Sequence, residues 1–436
     1  MPGKKDCFTI KRGDEKVKEQ KRLVLCNLKE AFLRFKEINP HLKVQFSKFA
    51  SLRPKWCILA GASGTHSVCV CCIHQNVKLM IDGAQLTKLT SNSIQLKTYN
   101  DCLAQIICKP PTVRCFLRKC EKCPGCDDFI EKLKEIFNEK MVDKILYRQW
   151  VTVDRTSLET IQSNTEEFLE KFSEKLKRLL THSYIAKQQS NFLIQKENEL
   201  QPGECIVICD FSENYAFVLQ DAIQGIHWNN DQVTIHPFAI YYKENGKKHF
   251  VNFVAISDCL KHDTIAVHLF QRGFIAFLNE KFDNLNKIFY FSDGSGAQYK
   301  NKKNFVNLYY HKRDFNVMAE WHFFATSHGK GPCDGLGGVI KRLATKASLQ
   351  NVNDPINTPE KFFLWVNKNI VNINIKFFSI QEYKTEMLEL EDRFRKAKMI
   401  PGTLKHHSFI PRKHGKIEIK ITSSASTSTI VNILKT

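Results

Sequence analysis

Three aspartates stand where a metal-dependent phosphodiester chemistry would need them. Asp210 closes the apolar run Glu204-Cys-Ile-Val-Ile-Cys209, and Asp293 closes Lys287-Ile-Phe-Tyr-Phe-Ser292. Asp334 opens a helical stretch behind the glycine-rich turn His328-Gly-Lys-Gly-Pro-Cys. Carboxylates brought within a few ångströms repel one another and call for cations, and hard oxygen ligands suit Mg²⁺ or Mn²⁺. Two such ions can activate a water or a 3′-hydroxyl and stabilise the leaving oxygen of a phosphodiester. Singly, each acid has an ordinary reading: Asp210 and Asp293 as strand-end turn residues, Asp334 as a helix N-cap. Glu320, on the strand before Asp334, is a rival third acid. His328 and Lys330 ahead of the helix, Lys341 and Arg342 along it, and Gln298 and Lys300 just after Asp293 are candidate phosphate or DNA contacts. The glycine cluster matches neither Gly-x-Gly-x-x-Gly nor the P-loop spacing.

A second chemistry is carried by cysteine. Ten of the sixteen cysteines lie between Cys57 and Cys126, and clustering of this kind points to metal sites rather than disulfides. Cys69, Cys71, Cys72 and His74 fall together, and Cys120, Cys123 and Cys126 form Cys-x₂-Cys-x₂-Cys. Zinc takes four sulfur or nitrogen ligands in a tetrahedron, which paired knuckles supply. The expectation is one or two structural Zn²⁺ drawn from these residues. Cys57, His66, Cys102, Cys108 and Cys115 are spare candidates. The competing reading is buried free cysteines on a strand, which suits the alternation of Cys69 and Cys71.

The elements that must position these groups follow from hydrophobic periodicity. From residue 203 the pattern gives strands at 204–209, 235–242 and 249–256, a helix at 263–282, a strand at 287–292, a helix at 297–312, a strand at 317–326 and a helix from Asp334 to about Ala347. The order β-β-β-α-β-α-β-α predicts an α/β, RNase H-like domain: a mixed five-stranded sheet with flanking helices, whose first and fourth strands are neighbours. His227, Trp228, His236 and His322 fit either the site or the core. The chain then divides into a basic, partly helical segment 1–55, in which Leu23, Leu25, Leu28, Ala31, Phe32 and Phe35 recur at helical spacing. A Cys/His-rich zinc-binding module covers 56–135, a helical segment 136–202, and the RNase H-like domain 203–350. A mixed extension spans 351–421, and a polar, disordered tail 422–436. Within 127–200, Phe168, Leu169, Phe172, Leu176, Leu179 and Leu180 form an apolar stripe.

Composition limits the function classes. The 436 residues are 43% hydrophobic and 25% charged, a globular balance that excludes a disordered, collagen-like or coiled-coil chain. No apolar run reaches the ~20 residues of a membrane helix, and the start has no signal-peptide core, so no membrane partner is expected. The net charge is +20, of which residues 1–55 hold +9. Such an excess points to a polyanion, most simply DNA; the plainer alternative is a solvated basic surface.

Several motifs carry a resemblance. Asp210-Phe-Ser-Glu-Asn-Tyr, Gln232-Val-Thr-Ile-His-Pro, Phe291-Ser-Asp-Gly-Ser-Gly-Ala-Gln-Tyr-Lys300 and Trp321-His-Phe-Phe-Ala-Thr-Ser-His-Gly-Lys-Gly-Pro-Cys-Asp-Gly335 resemble a group of transposon-derived animal proteins. Leu52-Arg-Pro-Lys and Cys69-Val-Cys-Cys-Ile-His-Gln-Asn-Val-Lys-Leu79 resemble the same group, so that the similarity covers most of residues 4–410. The wider class it implies is the DDE-type transposases, with an RNase H-like core. The resemblance makes Asp210, Asp293 and Asp334 the catalytic acids, the last two 41 residues apart. It implies DNA strand cleavage and transfer, a nuclear location and a homo-oligomer. Transposases commonly carry a DNA-binding module ahead of the core, and here the chain begins almost at the shared region. The alternative is therefore a catalytically inactive, domesticated DNA- or chromatin-binding zinc protein; a nuclease acting on RNA or hybrids is a third reading.

Overall fold

A computed structural model describes residues 7–12, 15–20, 22–24, 28–59, 71–219, 231–282, 284–329, 331–351 and 353–435. The chain forms two compact units, Met1–Val70 and Cys71–Thr436.

In the first unit, β1 (Cys7–Arg12) and β2 (Glu15–Gln20) form an antiparallel pair, and β3 (Arg22–Val24) pairs in parallel with β4 (Cys57–Leu59). Between them lie α1 (Leu28–Ile38) and α2 (Phe46–Ser51), joined by Phe32 and Phe35 against Phe49 at 5.4 and 5.1 Å between ring centres. The helical spacing thus holds from Leu28 onward, whereas Leu23 sits on a strand. Leu25 lies outside the described residues.

The second unit opens with short helices. These are α3 (Cys72–Gly83), α4 (Leu86–Leu89), α5 (Tyr99–Gln105), α6 (Val113–Phe116) and α7 (Asp127–Glu139). They pack on α8 (Thr165–Glu199), which Asn164 caps by accepting the Glu167 amide at 2.9 Å. The apolar stripe Phe168 to Leu180 is buried against Val77, Met80, Phe129, Leu133 and Phe137. One departure falls within the expected helical segment 136–202: β5 (Lys144–Thr152) and β6 (Thr156–Asn164) form a hairpin. Ile145 and Tyr147 alternate inward from β5, a period-2 pattern that is short beside the helical stripe following it.

A ten-stranded mixed sheet follows. Its centre is β7 (Glu204–Cys209), β9 (Gln232–Glu244), β10 (Lys247–Ser257), β11 (Lys287–Ser292) and β12 (Met318–Phe323), with the two-residue β8 (Tyr215–Ala216) on β9. The spatial order is β10-β9-β7-β11-β12. Strand β9 is antiparallel to its neighbours, and β7, β11 and β12 run parallel. Helices α9 (Thr264–Lys281), α10 (Lys302–Phe315) and α11 (Pro332–Gln350) alternate with the later strands. Both faces are covered. Cys205, Val207 and Cys209 meet the core of α9 and α10, while Ile206 and Ile208 turn to Phe192 of α8 and Cys333 of α11. Strands buried on both sides read as continuous apolar runs, which is why they stand out in the sequence.

The sheet extends beyond five strands. β13 (Ile373–Phe378) joins β10 in parallel, after α12 (Pro359–Asn369) and before α13 (Ile380–Arg395). β14 (Ser408–Arg412), β15 (Lys416–Lys420) and β16 (Thr429–Asn432) continue antiparallel from β12. The segment expected as a disordered tail is therefore ordered. Buried Gln189 of α8 donates to the Phe323 carbonyl and to Ser423 Oγ, and its own carbonyl accepts the Ser423 amide at 2.8 Å. The small hydroxyl residues that read as low complexity are what fits there.

Candidate metal centres and the acid edge

The acids are placed by strand ends. Strands β7 and β11 are parallel neighbours with Ile208 opposite Phe291, so Asp210 and Asp293 leave the sheet at one edge. Asp334 sits in the first turn of α11, whose start is held there by Cys333. The Cys333 thiol is buried and donates to the carbonyls of Ile208 (3.3 Å) and Pro237 (3.5 Å). Further along α11, a Cβ on Gly337 would fall 2.3 Å from Ser212 Oγ, so a larger residue there would force Ser212 of the chain leaving β7 to shift.

Charge couples the three groups. Burial, then Asp293 and Asp334, push the Asp210 carboxyl up to about 7, against a hydrogen bond from the Phe211 backbone. Burial also raises Asp293, opposed by the Ser295 amide and by Lys300. Among the described residues, however, the acids do not form a group whose ligand atoms all lie within 4.8 Å of one another. One Asp334 oxygen accepts the Gly331 amide at 2.9 Å, as a helix cap does. Glu320 lies elsewhere. It stands beside Phe289, four positions before Asp293 on the sheet, and meets Lys287 Nζ at 2.6 Å. Burial alone would raise it, but His322 and Lys287 outweigh burial and hold it at about 2.

The expected phosphate contacts separate. Lys300 is buried, 6% exposed, with Nζ donating to the Leu404 carbonyl at 3.3 Å, so it serves the interior and not a solvent-side phosphate. Burial lowers it to about 8, with Asp293 pulling the other way. Lys341 Nζ is held by the Glu213 carbonyl, Arg342 is exposed, and Gln298 is half-buried. Lys330 lies outside the described residues, as do His66, Cys69, His227 and Trp228. His236 and His322 are buried, bonded to Tyr299 and Ser423 respectively.

The zinc candidates regroup. Cys108, Cys115, Cys120 and Cys123 bring their sulfurs within 4.8 Å of one another, with Cys108 at 3.9 Å from Cys120 and 3.7 Å from Cys123. A disulfide needs about 2.05 Å, whereas a zinc tetrahedron with bonds of about 2.3 Å has sulfur–sulfur edges of about 3.8 Å. This four-cysteine group can hold a zinc ion. Thr112 hydrogen bonds draw the Cys115 thiol down to about 6. Cys126, expected as a ligand, is instead buried at the start of α7 in the apolar core. Cys102 is likewise buried in that core, and Cys57 is a free thiol in the other unit. Cys72 is exposed and accepts from Asn76.

Cys71 and His74 join neither Cys120 nor Cys123. Their neighbours are His182 of α8 and His328 of the turn before α11, with ligand atoms again within 4.8 Å of one another. His182 Nε2 lies 3.2 Å from Cys71 Sγ and 3.1 Å from His328 Nε2. Burial lowers all three imidazoles, His182 to about 4 with His328 and His74 adding to the effect. His328, expected at a phosphate, thus belongs with this group. Sequence reasoning passed over His182, whose only signal was a polar residue on an otherwise apolar helix stripe.

Fold and sites define a mixed α/β protein with a cysteine-rich helical module ahead of a large sheet. The chain belongs to the family described as domain of unknown function DUF8701, whose model matches residues 189–423. Models for two further domains of unknown function match as well, DUF8700 at residues 72–180 and DUF8699 at residues 1–61. No curated protein and no solved structure matches the chain.

Proposed function

We propose that the acid edge is a two-metal centre of the DDE transposase type, in which Asp210, Asp293 and Asp334 hold Mg²⁺ or Mn²⁺ and cleave and transfer DNA strands. The observation that carries this reading is the pair of acids at the ends of parallel neighbours β7 and β11, with Asp210 driven up to about 7 by burial and by the other two. Buried like charges at the end of a sheet are costly without a cation and are typical of sites built for one. The central order β10-β9-β7-β11-β12, with β9 antiparallel, supports an RNase H-like core. The charge of +20 suits a DNA substrate and a nuclear setting. In two-metal catalysis one cation lowers the pKa of the attacking oxygen and the other stabilises the leaving one.

A non-catalytic DNA-binding protein is the second reading. It is favoured by Asp334 capping its own helix and by the acids lying outside a closed ligand group. Mn²⁺-dependent nicking of labelled DNA by the full chain, beside Asp210→Asn and Asp293→Asn, separates the two. Cleavage that both variants lose supports the enzyme. DNA binding without cleavage in all three proteins supports the second reading.

A further inference from the structure

A second convergent group lies between elements that no single stretch of sequence joins. Cys71 is the N-cap of α3, and His74 is in the first turn of that helix. His182 is near the middle of α8, 111 residues from Cys71. His328 is in the turn between β12 and α11, 146 residues from His182. The three imidazole centres stand 5.0–5.2 Å apart, and Cys71 Sγ completes the set.

Apolar packing does not account for the cluster. The Nε2 atoms of His182 and His328 at 3.1 Å share a single proton between them, and His74 Nδ1 is buried without a hydrogen-bond partner. Tetrahedral zinc with bonds of about 2.0–2.3 Å places its ligand atoms about 3.3–3.6 Å apart for N–N and S–N edges. The observed 3.1 Å (N–N) and 3.2 Å (S–N) fall a few tenths of an ångström short of those edges, so the ligands need spread only slightly around an ion. One thiolate and three neutral imidazoles is also a donor set that zinc favours over the hard cations.

We propose that Cys71, His74, His182 and His328 bind a second zinc ion, separate from the four-cysteine site, which clamps the turn before α11 onto α3 and α8. The clamp has a consequence at the acid edge. The held turn runs from His328 through Gly329, where a Cβ would lie 3.0 Å from Asp293 Cβ. It continues to Gly331, whose amide Asp334 accepts. A zinc at His328 therefore fixes the backbone that backs Asp293 and leads to Asp334. This part of the inference rests on the reading of the acids as a catalytic centre; the metal site itself does not. His328 is then a positioning residue, not a catalytic one.

Zinc content of the full chain, purified from zinc-supplemented medium, tests the site directly. The wild type should carry two zinc ions per chain, His328→Gln and His182→Gln one each, and Cys120→Ser one. His328 is exposed on a turn, so its replacement tests the ligand without risking the core. His328→Cys, which restores a zinc ligand, should return the count to two. With cobalt in place of zinc, His328→Gln should lose the visible bands of the mixed site and keep the thiolate charge-transfer of the four-cysteine site. A wild-type count of one that His328→Gln and His182→Gln leave unchanged overturns the proposal, as does a count of two in either variant. In the Mn²⁺ nicking assay, His328→Gln should lower the turnover rate at least about tenfold, the scale seen when supporting interactions at metal centres are removed, with DNA affinity unchanged. An inactive wild type with two zinc ions would leave the clamp standing and remove the catalytic reading; full nicking by His328→Gln would remove the positioning role.

Discussion

Asp210 is the residue at which burial and like charge meet. Its carboxyl is raised to about 7, so between about pH 4 and 7 the folded chain holds a proton that the unfolded chain has released. Stability must then fall as pH rises through that window, by on the order of 4 kcal/mol for a shift of this size. Urea denaturation across the window, without added divalent cation, should show the decline in wild type and a flatter profile in Asp210→Asn. Added Mg²⁺ or Mn²⁺ should recover stability at the alkaline end, where the carboxylates are ionised, and have little effect at the acid end. Equal pH slopes in wild type and Asp210→Asn would show that the repulsion is relieved by neighbours. Lys300 is the group best placed to do that, since it is buried and opposes Asp293.

At the scale of elements, the helices behind the sheet are joined by a buried ionic network that composition alone does not reveal. His268 and Arg272 of α9 both meet Glu386 of α13, Arg272 at 2.8 Å, while Arg393 of α13 meets Asp314 of α10 at 2.7 Å. Burial would raise Glu386, but His268 and Arg272 outweigh it and hold the carboxyl below its ordinary value. Its contribution is therefore present at neutral pH and lost on acidification. Glu386→Ala leaves His268 and Arg272 without their shared acceptor, though half-exposed Arg272 keeps Glu389 and His268 keeps Asp314, and should cost about 1–3 kcal/mol in chemical denaturation at neutral pH, less in acid. The same contrast explains what the sequence could and could not convey. Strands β7 and β11 are buried on both faces, so their apolar runs mark them end to end, and the aspartates at their ends are visible as such. Cys120 and Cys123 are likewise marked by local spacing. Their partner Cys115 lies within α6 and Cys108 on the far side of it, and His182 and His328 reach Cys71 only through tertiary packing. No short-range period encodes that convergence. The hairpin of β5 and β6 and the edge strand β13 were hidden for a related reason: each is partly exposed and is anchored by elements distant in sequence, β5 by Asn76 of α3 and β13 by β10.

For the molecule as a whole, charge sets the expected partner more firmly than any one side chain. The excess of +20 is not needed for folding, because the cores are apolar and the buried ion pairs are balanced locally. No helix among the described residues is long and apolar enough to cross a membrane. An unbalanced basic surface of this size attracts phosphate backbones and releases their counterions on binding. If the chain neutralises roughly 6–10 phosphates, its affinity for a random-sequence duplex should fall about 10³–10⁵-fold between roughly 50 and 200 mM salt. Fluorescence anisotropy with a labelled duplex reads this slope. Asp210→Asn should bind with the same slope as wild type, since a partly buried carboxylate neutralises no phosphate and lysines and arginines would supply the affinity. The stretch 1–55 holds +9 of the charge, so reversing a few of its lysines should flatten the slope by roughly one for each phosphate no longer neutralised. A slope near zero in the wild type would assign the positive charge to solubility and exclude DNA as a partner, whatever the acids do.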